Sequence, residues 1–146
     1  MRQGPHDTTD RFDLERFVEA QEAVYRQVCR ELQSGRKESH WMWYVFPQIA
    51  GLGQSPTSVR FAISCLEEAC AYLTHPILGP RLEECASLTL QARARTARDI
   101  FGPVDAMKFH SSMTLFAKAA GEGSVFQQCL KTYFGGALDP ATLAKL

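Results

Sequence analysis

From Leu14 onward the apolar residues of this chain return every three or four positions, and nowhere do they alternate one by one as along a half-buried strand. The first run passes through Leu14, Phe17, Val18, Val24, Tyr25, Val28, Cys29 and Leu32. That spacing predicts one amphipathic helix, capped by Asp10 or Asp13 and stopped near Ser34 and Gly35. After Ser55, an N-cap type followed by Pro56 at the first helical position, a second stripe runs through Phe61, Ala62, Cys65, Leu66, Ala69, Tyr72 and Leu73 and predicts a helix ending near Thr74. Leu82, Cys85, Leu88 and Ala92 mark another opened by Pro80; a short helix or turn over 97–101 ends at Gly102 and Pro103. Further helices are expected over about 103–119 and 124–134, with a last turn from Asp139 and Pro140. The expectation is an all-α or mainly α fold of about six or seven helices in a single domain over residues 12–146, behind a mobile polar tail at 1–11.

Composition agrees with a packed domain, because 45% hydrophobic and 22% charged residues among 146 are far from the balance of a disordered chain. Sixteen basic and sixteen acidic residues cancel, leaving no global field to gather nucleic acid or an anionic membrane. The densest local basic group is Arg93, Arg95 and Arg98 in an Ala/Thr-rich stretch, which reads as a solvated helix face. No stretch approaches the roughly 18 to 20 apolar residues of a membrane span, and the N-terminus lacks a secretory pattern, so a cytoplasmic location is expected. Cysteines stand at 29, 65, 70, 85 and 129, an odd number without paired spacing. That favours free thiols over a disulfide framework, and no metal or cofactor site is expected.

Three segments carry residues beyond what packing needs. His40-Trp41-Met42-Trp43-Tyr44-Val45-Phe46-Pro47-Gln48 holds both tryptophans of the chain; such side chains suit stacking on a base or sugar and equally suit a core. Gly51, Gly53 and Ser55 form a loop that resembles a loose phosphate cradle, or simply a loop with a helix cap. In the third segment Asp105, Lys108 and Ser112 lie near one helical face with Ser111 at its edge. Asp105 there is a candidate general base or stabiliser of a developing cation, and a surface ion pair is the plain alternative. His75, before Pro76, reads first as a cap or packing residue. The residue types of a Ser/His/Asp triad are present, without a GxSxG elbow or an HExxH helix.

With Ser39 to Gln48 (SHWMWYVFPQ), Gly51-Leu52-Gly53, His75-Pro76, Phe101-Gly102 and Asp105 through Lys108 to Phe116 in view, the chain resembles the domain-of-unknown-function family 1810. These are uncharacterised microbial proteins, sometimes labelled calpastatin. More distantly it is similar to the YbiA-like group, which includes NADAR proteins acting on ADP-ribose and related N-glycosides. The first resemblance implies an α-helical fold, and the second a hydrolase of a nucleotide-derived or ADP-ribosyl small molecule. On that reading Asp105 and His40 are the catalytic candidates. Trp41, Trp43, Gln48, Gly51, Gly53, Ser55, Lys108, Ser111 and Ser112 are the binding candidates, and both segments are expected around one cleft. The rivals are a non-catalytic nucleotide or ADP-ribose binding module, and a structural or inhibitor protein in which the aromatic run is fully packed.

Overall fold

Buried stripes at helical spacing become helices throughout a computed structural model that describes residues 10–92 and 96–146. Nine helices occur among the described residues: α1 (Glu15–Glu22), α2 (Tyr25–Ser34), α3 (Met42–Val45), α4 (Pro56–Arg60), α5 (Leu66–Thr74), α6 (Leu78–Gln91), α7 (Ala97–Ala120), α8 (Val125–Phe134) and α9 (Pro140–Leu143). No strand forms among them; the sole extended pairing is one isolated parallel bridge between Ile49 and Ile63. The fold is all-α, and none of these helices is long and apolar enough to cross a membrane. The expected tail lies largely outside the described residues, as do Arg93 and Arg95 of the basic group; Arg98 is exposed.

Two expected helices are split. The stripe beginning at Leu14 breaks at Ala23 and Val24 into α1 and α2, because the two halves bury against different partners. α1 sets Phe17, Val18 and Gln21 inward and packs on α3, whereas α2 sets Val28, Glu31 and Leu32 inward and packs on α6. Asp10 opens the run by accepting from the Leu14 and Glu15 amides at 2.6 and 3.2 Å. The stripe after Ser55 breaks at residues 61–65, where Ile63 leaves the helix to pair with the chain around Ile49. The two splits and the short α3, less the joining of the expected 97–101 and 103–119 helices into α7, account for a count above the expected six or seven.

The core gathers around α7. Every residue from Ser111 to Phe116 is buried, as in a helix surrounded by protein on all sides. α5, α8 and α9 pack on it, and Phe109 meets Phe46 and Phe101 at ring separations of 5.1 and 4.7 Å. α7 is bent at Gly102, whose φ of 80° and ψ of 166° no side chain tolerates easily. Pro103 then starts a new helical course, so the expected boundary at Gly102-Pro103 is present as a kink. His75 caps α6, its Nδ1 accepting from the Ile77 and Leu78 amides at 3.1 and 3.2 Å.

Candidate functional site

The bridge that splits the second stripe also builds a wall. The Ile63 amide donates to the Gln48 carbonyl and the Ala50 amide to the Ile63 carbonyl, each at 2.8 Å. Residues 48–55 are thereby held beside Phe61 and Ala62. Opposite stands the face of α7 after the kink, where Val104, Met107, Lys108 and Ser111 recur at helical spacing. Trp43, His110, Asp139 and Ala141 complete a cleft of about 580 Å³, within the usual range for small-molecule sites.

Of the residues expected from sequence, Trp43, Gln48, Gly51, Gly53, Ser55, Lys108 and Ser111 line this cleft. His40, Trp41, Asp105 and Ser112 do not, so the expected convergence is corrected for these four. His40 is exposed ahead of α3. Ser112, one residue beyond Ser111, is turned by the helical step into the core, where its Oγ is buried without a partner. Trp41 is 1% exposed and donates from Nε1 to Glu31 Oε1 at 2.9 Å. Only the second tryptophan of the pair lines the cleft.

Asp105 sits behind the cleft wall as a counter-ion. Its Oδ2 is 2.8 Å from Lys37 Nζ and its Oδ1 is 3.2 Å from Lys108 Nζ. Burial would raise its pKa, but the two ammonium groups outweigh it and hold the carboxyl below its ordinary value. Lys37 lies over the Trp41 ring at 5.1 Å and Lys108 over the Trp43 ring at 3.8 Å. Asp105 thus positions Lys108, which is the member of the pair that reaches the cleft.

Glu31 anchors the stretch leading into this array. It accepts from the Glu38 amide at 2.7 Å, the Ser39 amide at 3.0 Å, Ser39 Oγ at 2.6 Å, Trp41 Nε1 at 2.9 Å and Gln27 Nε2 at 3.0 Å. Burial pushes its pKa up, yet the donors from Ser39, Glu38 and Trp41 prevail and bring it to about 2. Sequence reasoning passed over it. The available signal was an acid on the apolar face of the first stripe, three residues after Val28.

Asp139, which the sequence places at the start of a last turn, is the carboxylate that lines the cleft. Its Oδ2 accepts from Ser111 Oγ at 2.9 Å, Thr142 Oγ1 at 2.7 Å and the Thr142 amide at 3.3 Å. Among the described residues Oδ1 accepts from none. Burial raises its pKa, while the Thr142 and Ser111 donors and the nearby His110 lower it further, so the group is ionised at neutral pH. His110 stacks on Phe134 at 4.0 Å and its Nε2 lies 2.8 Å from the Ala137 carbonyl. A carbonyl only accepts, so Nε2 carries a hydrogen there. Ser111 is bonded to Asp139 directly, with no imidazole between them, which is not a triad relay.

The glycine loop differs from a phosphate cradle. Gly51 has a φ of 98°, and a Cβ there would lie 3.2 Å from Lys145 Cε. The Ser58 amide at the start of α4 is capped within the chain, because Ser55 Oγ accepts from it at 3.2 Å. With five residues, α4 also has little dipole to offer. Among the described residues no three His, Cys, Asp or Glu side chains gather as metal ligands would.

The crystal structure of the conserved hypothetical protein Rv1873 from Mycobacterium tuberculosis is similar to this chain, with 56% sequence identity and a TM-score of 0.90 over 92% of this chain and 96% of that one. No curated protein matches. The family described as "Protein of unknown function (DUF1810)" matches residues 11–146, nearly the whole length, and this chain belongs to that family.

Proposed function

We propose that the cleft takes a nucleotide-derived or ADP-ribosyl small molecule and hydrolyses its N-glycosidic bond. The observation that carries this reading is Asp139. Three donors orient the carboxylate through Oδ2, and Oδ1 remains open in a cleft that also holds an aromatic ring, an ammonium and a carboxamide. An ionised carboxylate held this way stabilises positive charge as the C1′–N bond breaks and orients the water that replaces the base. Asp139 takes the role expected of Asp105, which serves here by holding Lys108 for a phosphate. Trp43 and Gln48 bound the space for the ring and ribose. His40, outside the cleft, has no part in it.

The same carboxylates narrow the substrate. Asp105 and Asp139 are both held ionised, so neither supplies a proton to the leaving group. The reading therefore favours an N-glycoside whose base already carries positive charge, such as a pyridinium, because that base departs neutral when it takes the bonding electrons. One observation favours a second reading, a non-catalytic binding module. Asp139 also caps α9, and its ionisation serves that cap without any reaction. Release of free base from pyridinium ribosides, followed by chromatography, separates the two. Turnover by the native chain that is lost in Asp139→Asn supports hydrolysis; tight binding with no released base supports the module.

A further inference from the structure

Away from the cleft, α2 and α6 run parallel and in register. Tyr25 on α2 lies against Arg81 on α6, with the guanidinium 4.8 Å from the phenol ring centre. Just beyond the other end of both helices, a Cβ built on Gly35 would touch the Ala92 Cβ at 3.8 Å. The offset is 56 residues at the first contact and 57 at the second. One turn on from Tyr25 and Arg81, the same offset places Cys29 opposite Cys85, and each thiol shifts the ionisation of the other. All five cysteines are free, with Cys29 partly exposed at the seam and Cys85 buried beneath it.

We infer that Cys29 and Cys85 form a dithiol site for hydroperoxides, in which Cys29 is oxidised first and Cys85 closes a reversible disulfide that joins α2 to α6. The surroundings divide the two roles. The neighbouring Cys85 thiol, assisted by Tyr25 and Arg81, outweighs burial and the Glu84 charge and pulls Cys29 down to about 7. Cys85 is pushed up by the facing Cys29 and by burial. Burial likewise keeps the Tyr25 phenol protonated, so it remains a donor, hydrogen-bonded to Glu84. At neutral pH the Cys29 sulfur is therefore a thiolate far more often than an ordinary thiol, by roughly tenfold.

In the first step the Cys29 thiolate attacks one peroxide oxygen. An S–O bond forms, the O–O bond breaks, and the departing hydroxide or alkoxide takes a proton from solvent. In the second step the Cys85 sulfur attacks Cys29 Sγ. The S–S bond forms, the S–O bond breaks, and the hydroxide leaves as water with the proton that Cys85 gives up. The thiol pair loses two electrons and the peroxide gains them. Cys65 and the exposed Cys70 serve as internal controls.

The test uses the full chain, reduced, exposed to substoichiometric hydrogen peroxide at neutral pH, and mapped by mass spectrometry without reductant. The expected product joins Cys29 to Cys85, lowers the chain mass by two hydrogens and reverts with dithiothreitol. In Cys85→Ser, dimedone should label Cys29; in Cys29→Ser, the crosslink should vanish while Cys85 stays reduced. A native chain whose Cys70 oxidises while Cys29 stays reduced overturns the assignment. So does a Cys29 that is oxidised but never joined to Cys85.

Discussion

Within the stretch from Gln27 to Trp41, Glu31 holds more donors than any carboxylate of the cleft, and it does so buried. Replacing it with Gln sets an NH2 group against amides and an indole that also donate, leaving at least one buried donor unpaired. The expected loss is about 1–3 kcal/mol of stability at neutral pH, read from urea unfolding of the two proteins. The pH dependence has a definite sign. The folded-state value of about 2 lies below the ordinary 4.5, so the contribution is complete above about 4.5 and disappears as pH falls toward 2. The gap between native chain and Glu31→Gln should therefore close across that window; a gap that stays constant from pH 7 to pH 2.5 contradicts this account of Glu31. The residue scale is also where sequence is least legible. Trp41 and Trp43 look alike in the sequence, and only the partners brought in by α2 separate a core residue from a cleft residue. Asp139 was hidden by its own local explanation, since Asp before Pro at a helix start already has a sufficient reason to exist.

Helical periodicity carried the elements well, because most helices here are held by one buried stripe each, and the stripe is visible in residue types. It misplaced two boundaries for one reason. At Ala23-Val24 and at 61–65 the apolar spacing continues while the packing partner changes, and partners are not encoded in spacing. The second break matters most for the site, because Ile63 pairing beside Gln48 is what holds the glycine loop against the opening. The kink in α7 was legible, Gly followed by Pro being a local signal. Gly102→Ala is expected to cost about 1–3 kcal/mol, since φ of 80° with ψ of 166° belongs to a region almost restricted to glycine. Thermal unfolding measures it, and a stability equal to that of the native chain would mean that the bend relaxes without penalty.

At the scale of the whole molecule, α7 organises both the core and the cleft: its fully buried turns anchor the packing, and its turns after the kink present Val104, Met107, Lys108 and Ser111 to the opening. Val104 and Met107 remain 64% and 72% exposed at that rim, apolar surface that a bound ring would partly cover. The Asp139→Asn variant is informative because Asn caps a helix about as well as Asp, so it should fold like the native chain and differ in charge alone. Its melting curve should match that of the native chain within about 1 kcal/mol, even where turnover is lost. The central claim, that the cleft between the glycine loop and α7 is a ligand site, is tested most directly by ligand-induced stabilisation with ADP-ribose and with its pyridinium glycosides. At a hundred times the dissociation constant, the native chain should gain about 2.7 kcal/mol, and Lys108→Ala should lose most of that gain while melting normally without ligand. No stabilisation of the native chain by any of these compounds, or an undiminished one in Lys108→Ala, would contradict the account.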